Sequence, residues 1–236
     1  MRWLVRGLFQ LPGTLYRYGP RAVYERLNRR VELLRSRETR FTCIAESGGF
    51  GSSPSLSGEG SSLEATEIIR NLLPQIIERY RVTSLLDIPC GDFYWMQHLD
   101  LNNVQYVGID IVRSIVDTNN SRFRRGNMRF IVGDICNDVL PRADLAMSRD
   151  CMIHLKLREI QRALRNLKAS GAGLLLLSTY PEEKVNAEID PRFFRKINLE
   201  MPPFGLPKPL ELFWESKSKC NGKALGLWRN SDLPGR

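Results

Sequence analysis

Three acidic residues stand where an α/β fold would place ligand contacts. Asp87 opens the turn Asp87-Ile88-Pro89-Cys90-Gly91-Asp92-Phe93, Asp110 closes the apolar run VQYVGID, and Asp134 follows MRFIVG. Each lies at the end of an apolar run, and in doubly wound sheets ligands bind beyond the carboxyl ends of the strands. Asp110 follows Gly91 by 19 residues, the separation at which an acid meets an adenosine ribose. An acid after the third strand reaches the adenine amino group. Any single Asp here reads equally well as a helix N-cap; recurrence after three successive strands points to an adenosine-bearing cofactor. The first turn holds one glycine and no G-x-G-x-x-G, which a pyrophosphate needs for close backbone approach. A dinucleotide and hydride transfer are therefore disfavoured.

A second group, Ser148-Arg149-Asp150-Cys151-Met152-Ile153-His154, follows a fourth apolar run. His154, one of two histidines in the chain, titrates in the range a general base requires, and Asp150 is the other candidate base. The bland reading is that His154 caps the helix beginning beyond Leu155. Cys151 reads as core packing rather than as a nucleophile. Upstream, SLSGEGSSLEAT brings Gly58, Gly60 and Ser61 to a helix start that Ser61 or Ser62 can cap, and such loops hold carboxylates or phosphates with backbone N–H groups.

The elements that must position these residues alternate. VTSLLDI, VQYVGID, MRFIVGDI, ADLAMSRD and GAGLLLLSTY read as strands; DFYWMQHL, IVRSIVDTNNSRF and LREIQRALRNLKAS read as helices. That alternation predicts a mostly parallel sheet covered on both faces. ELFWES and KALGLWR read as two closing strands joined around Asn221-Gly222. Trp95 reads as packing. Residues 181–209 are rich in proline and read as irregular, and NLEMPPFGLPKPLELFWE, residues 198–215, reads as a cover over the substrate side.

The chain has 236 residues and a net charge of +9. Residues 1–40 carry ten Arg against three Glu, so the basic balance describes an N-terminal extension rather than the domain of residues 41–236. Pro12-Gly13 and Gly19-Pro20 break that extension, leaving a helix predicted over Arg21–Arg37. Its Arg-rich, aromatic composition suits a membrane surface as well as a packed helix. No apolar stretch is long enough to span a membrane, and the nearly neutral remainder argues against a nucleic-acid partner. Five cysteines without a CxxC pair read as reduced thiols of a cytoplasmic protein, and no metal site is expected.

LLDIPCGDFYWM, YVGIDIV, FIVGDI and ADLAMSRDCMIHL, taken in succession over about residues 41–230, resemble the motifs of class I S-adenosylmethionine-dependent methyltransferases. The resemblance is to a mostly bacterial subgroup with D-x-P-C-G-D-F and R-D-C-x-x-H-L segments. It departs from that subgroup at GGFGSS, where Phe50 stands near a tryptophan position. The resemblance implies a three-layer Rossmann-like α/β fold, a seven-stranded, mostly parallel sheet with an antiparallel closing strand. It implies S-adenosylmethionine as cofactor, with Asp87, Pro89, Cys90, Gly91, Asp92 and Phe93 around its methionine end. Asp110 would hold the ribose, Ile111 would lie against the adenine, and Asp134 and Ile135 would flank the adenine edge. Arg149, Asp150 and His154 would face the reaction centre, Arg149 also contacting the cofactor. Gly58, Gly60, Ser61, Phe204 and Trp214 would lie on the substrate side. The implied acceptor is a small molecule or glycan. Protein or peptide methylation, or non-catalytic cofactor binding by a protein docked at the inner membrane face, are the alternatives.

Overall fold

A computed structural model of the chain describes residues 36–50, 54–189, 194–215 and 222–234. The helix predicted over Arg21–Arg37 lies outside these residues apart from its last two positions, as does Asn221 of the predicted hairpin turn. Residues Arg37–Arg236 form one compact unit.

Seven strands build one sheet: β1 (Ser84–Asp87), β2 (Gln105–Asp110), β3 (Met128–Val132), β4 (Leu145–Ser148), β5 (Leu174–Thr179), β6 (Glu211–Trp214) and β7 (Ala224–Arg229). Their order is β3-β2-β1-β4-β5-β7-β6. The first five run parallel to one another, and β7 runs antiparallel to both β5 and β6. This is the predicted architecture, with the order reversing between β1 and β4, where crossovers on opposite faces open a crevice.

Alternation along each strand divides the core. Leu86, Ala146, Leu175, Leu177 and Trp228 face one side, and Leu85, Leu145, Met147, Leu176, Leu225 and Leu227 face the other. Helix α1 (Arg37–Glu46) and helix α4 (Leu157–Ala169) cover the first face. In α4, Ile160, Ala163, Leu164 and Leu167 are buried, spaced i, i+3, i+4, i+7 as one helical stripe. Helices α2 (Glu67–Arg79) and α3 (Arg113–Phe123) cover the second face through Ile69, Leu73, Ile76 and Val116.

Two expectations change in the structure. DFYWMQHL is not a helix: only Met96–His98 forms a 3-10 turn, because Phe93 takes a left-handed φ of 59°. Its ring packs against Tyr106, Phe123 and Phe130 at centroid separations of 5.3, 5.0 and 5.2 Å. The predicted cap at Ser61 or Ser62 stabilises a turn preceding α2 instead, where the Ser62 hydroxyl accepts from Ala65 N at 3.2 Å; the helix itself begins at Glu67. The described part of the Pro-rich stretch is irregular, as expected, and is pinned to the core. Asn186 donates to the Asn198 and Pro202 carbonyls, Asn198 donates to those of Pro181 and Glu183, and Ile197, Leu199, Phe204 and Leu206 are buried.

Candidate active site

The carboxyl ends of β1, β2 and β4 open into one cleft, walled by α1, the loop around Ser57 and Ser61, and the segment after β4. Its floor is the turn after β1. Gly91 N donates to Asp110 Oδ2 at 3.0 Å and Val112 N donates to Asp110 Oδ1 at 2.9 Å, so one carboxylate ties the first turn to the second. From beneath, Asn119 of α3 donates to the Gly91 carbonyl at 2.7 Å. Gly91 has φ of 55°, and a Cβ there would lie 2.1 Å from Ser57 Oγ; only glycine fits. Burial raises the Asp110 carboxyl to about 6 and, against the hydrogen bond from the Tyr106 hydroxyl, the Asp87 carboxyl to about 7. Two acids are thereby held near neutrality at the strand ends, an arrangement that favours a cationic or hydroxyl-bearing ligand group.

The Gly-Ser loop is fastened by Asp92. Its carboxylate accepts from Ser55 Oγ at 2.9 Å, Leu56 N at 2.7 Å and Ser57 Oγ at 3.3 Å. Asp92 therefore holds the wall and is not part of it. Ser57 and Ser61 line the cleft, while Gly58 and Gly60 do not; the Gly60 carbonyl instead accepts from Arg149 Nη1 at 2.8 Å.

Beyond β4 four charged side chains close a ring. Arg149 Nε donates to Glu215 Oε1 at 2.7 Å, Glu215 Oε2 lies 2.9 Å from Lys223 Nζ, Lys223 contacts the Asp150 carboxylate, and Asp150 lies 3.3 Å from Arg149 Nη1. Burial alone would push the Asp150 carboxyl up, but the Arg149 and Lys223 cations outweigh it and hold the group below the ordinary carboxylate range. Arg149 also lies over the Trp95 ring at 5.8 Å. Its Nη2 is buried with no hydrogen-bond partner, an arrangement that awaits an acceptor. Asp150 has a left-handed φ of 55°, with Ser178 Oγ accepting from its backbone N–H at 3.0 Å. His154 ends a 3-10 turn, lines the cleft, and stacks on Phe50 at 4.8 Å.

Ile111, Gly133, Asp134 and Ile135 line the adenine-edge wall, where Asp134 also pairs with Arg37 of α1 at 2.6 Å, and Phe41, Ile44 and Ala45 of α1 complete the wall. Pro89, Cys90 and Cys151 also reach the cleft, the two thiols pushed up by burial and so kept protonated. Among the described residues the four cysteines are free thiols and no acid, His or Cys cluster is placed to hold a metal. The structure does not bring Phe93, Phe204 or Trp214 to the cleft. Phe93 and Phe204 are core residues, and Trp214 stands on the edge strand β6. Sequence reasoning missed α1, Glu215 and Lys223. Glu215 and Lys223 lay inside the predicted closing strands and carried no motif of their own.

Residues 85–171 match the family model for a methyltransferase domain. The N-methyltransferase NodS from Bradyrhizobium japonicum WM9, solved with S-adenosyl-l-homocysteine, is similar at TM-score 0.57 and 14% identity, covering 81% of this chain and 98% of that one. Human N-acetylserotonin methyltransferase, in complex with SAM, gives TM-score 0.51 and 12% identity, covering 71% of this chain and 53% of that one. The methyltransferase domain of bacterial CtHen1-C gives TM-score 0.44 and 16% identity over 49% of this chain and 66% of that one, so the chain spans just under two thirds of it. No curated protein matches the chain in sequence. At these identities the likeness establishes the fold, the Rossmann-like methyltransferase fold, and no helix among the described residues is long and apolar enough to cross a membrane.

Proposed function

We propose that this chain is an enzyme that moves the methyl group of S-adenosylmethionine to an oxygen or nitrogen of a small molecule or glycan. The carrying observation is Asp110, whose carboxylate is buried at the end of β2, bound to Gly91 N–H, and part of the cleft wall in a sheet with methyltransferase strand order. S-adenosylmethionine supplies a sulfonium-borne methyl as the electrophile. The residues present fit it: Asp110 for the ribose hydroxyls, Ile111 and Ile135 for the adenine faces, Asp87 for the methionine amino group, and the orphaned Arg149 Nη2 for its carboxylate.

The chain's own part is alignment and proton removal. Lys223 and Arg149 hold Asp150 ionised, which suits it to orient an acceptor hydroxyl or amine and makes it a weak base. The base is then His154, whose ring Phe50 fixes against the cleft wall. Enclosure by α1 and the Ser57 loop supports a small acceptor over a protein side chain.

Calorimetric titration with S-adenosylmethionine and S-adenosylhomocysteine tests the reading. Micromolar binding by the intact chain and loss of at least about tenfold in Asp110→Ala are expected, a loss of about 1.4 kcal/mol. Absence of binding, or binding indifferent to Asp110→Ala, overturns it.

A further inference from the structure

A second concavity lies at the opposite end of the sheet, where the strands begin. Ser84 and Gln105 form its floor and Arg124, Arg125, Arg129 and Arg142 its walls, around a groove of about 780 Å³. All four arginines are exposed. No Asp or Glu lines the groove, and among the described residues none of the four has an ion-pair partner. The nearest acid along the chain, Asp144, spends its carboxylate on Thr83 and Ser84 at 2.7 to 2.9 Å.

The frame that presents these charges is built, not loose. Arg125 and Met128 close a tight turn by exchanging both backbone hydrogen bonds, at 3.1 and 2.9 Å. Asn127 in that turn donates to the Leu101 and Val104 carbonyls at 2.7 and 2.8 Å, and Asn120 pairs with both backbone groups of Phe130. Four like charges on a fixed frame repel one another and add nothing to folding. A cluster of this kind suits an anion placed among its members. Three residues before Arg142 in the chain, Val139 is exposed almost completely, at 96%.

We propose that this edge of the sheet docks the chain on an anionic phospholipid surface, the groove taking a headgroup phosphate and Val139 reaching the interface. Basic groups near an anionic bilayer and apolar tips entering its boundary add in affinity. Residues 1–35 hold eight further arginines with Trp3, Phe9 and Tyr16 among them, a composition of the same kind. Docked by this edge, the molecule keeps the methyl-transfer cleft, at the carboxyl ends of the strands, turned towards solution.

The test is flotation of the full chain with vesicles of phosphatidylcholine alone or with one third phosphatidylglycerol, for the wild type and for Arg124→Gln/Arg125→Gln/Arg129→Gln with residues 1–35 intact. Binding to the anionic vesicles only is expected, with the triple variant needing roughly a hundredfold more lipid. The variant keeps its thermal midpoint and its S-adenosylmethionine affinity, which separates this proposal from the one above. Equal flotation of wild type and variant would place lipid binding elsewhere and overturn the proposal. So would the absence of flotation, or capture of a single-stranded RNA in its place.

Discussion

The guanidinium of Arg37 grips the carboxylate of Asp134 at 2.6 Å across 97 residues of sequence, and its other nitrogen reaches Glu159 at 2.9 Å. Asp134 also accepts from Cys136 N and Asn137 Nδ2. Four N–H donors, Arg37 Nε and Nη2, Cys136 N and Asn137 Nδ2, therefore converge on Asp134. The acid lines the cleft and also fastens α1, and with it Phe41 and Ile44, over it.

Removing Arg37 should loosen that wall. Arg37→Ala is expected to lower stability by about 2 kcal/mol, the cost of breaking a largely buried pair whose partners keep other donors. A urea midpoint measured for Arg37→Ala, Asp134→Ala and the double variant gives the coupling directly. Strict additivity of the two losses would show that the contact does not anchor α1.

Asp92 acts through the loop it holds. Asp92→Ala deprives Ser55, Leu56 and Ser57 of their acceptor, so the Leu56 amide should exchange with solvent at least about tenfold faster. Weaker cofactor binding should accompany it at little cost in melting temperature. Unchanged exchange at Leu56 would show the loop to be fixed by other contacts.

The buried acids set a pH trend. With Asp87 raised to about 7 and Asp110 to about 6, the native chain holds more protons than the unfolded one between about pH 4 and 7, so these two groups lower stability as pH rises through that window. Asp87→Asn keeps an acceptor for the Tyr106 hydroxyl, 2.7 Å away, and removes the charge. Its advantage over wild type should widen from pH 4 to pH 8, reaching roughly 2 kcal/mol. A pH-independent difference in urea unfolding would refute the burial account.

The charge ring should break asymmetrically. Lys223→Met leaves Asp150 and Glu215 sharing the single Arg149 cation and is expected to cost about 3 kcal/mol. Adding Glu215→Gln removes one stranded anion and should recover part of the loss. Denaturant midpoints of the two variants check this; a double variant worse than the single one would contradict the ring.

His154→Ala should leave S-adenosylmethionine binding within about twofold of wild type and, once an acceptor is in hand, slow turnover by about 10² or more near neutral pH. A rate unchanged by the substitution would show that alignment alone suffices.

Period and punctuation made much of this protein legible in its sequence. The apolar runs of β1 to β5, the 160-163-164-167 stripe of α4, and acids at successive strand ends are local patterns, and they determined the three-layer fold and the place of the cleft. DFYWMQHL misled because Phe93, Met96 and Leu99 fit helical spacing, whereas the left-handed backbone at Phe93 comes from packing its ring among Tyr106, Phe123 and Phe130. The tertiary structure alone decided which charges meet. Arg149 with Glu215, Lys223 with Asp150 and Arg37 with Asp134 pair across 66, 73 and 97 residues. Such pairs leave no periodic trace, because an ion pair needs only that two side chains arrive at one point, and the chain between them is free to take any pattern.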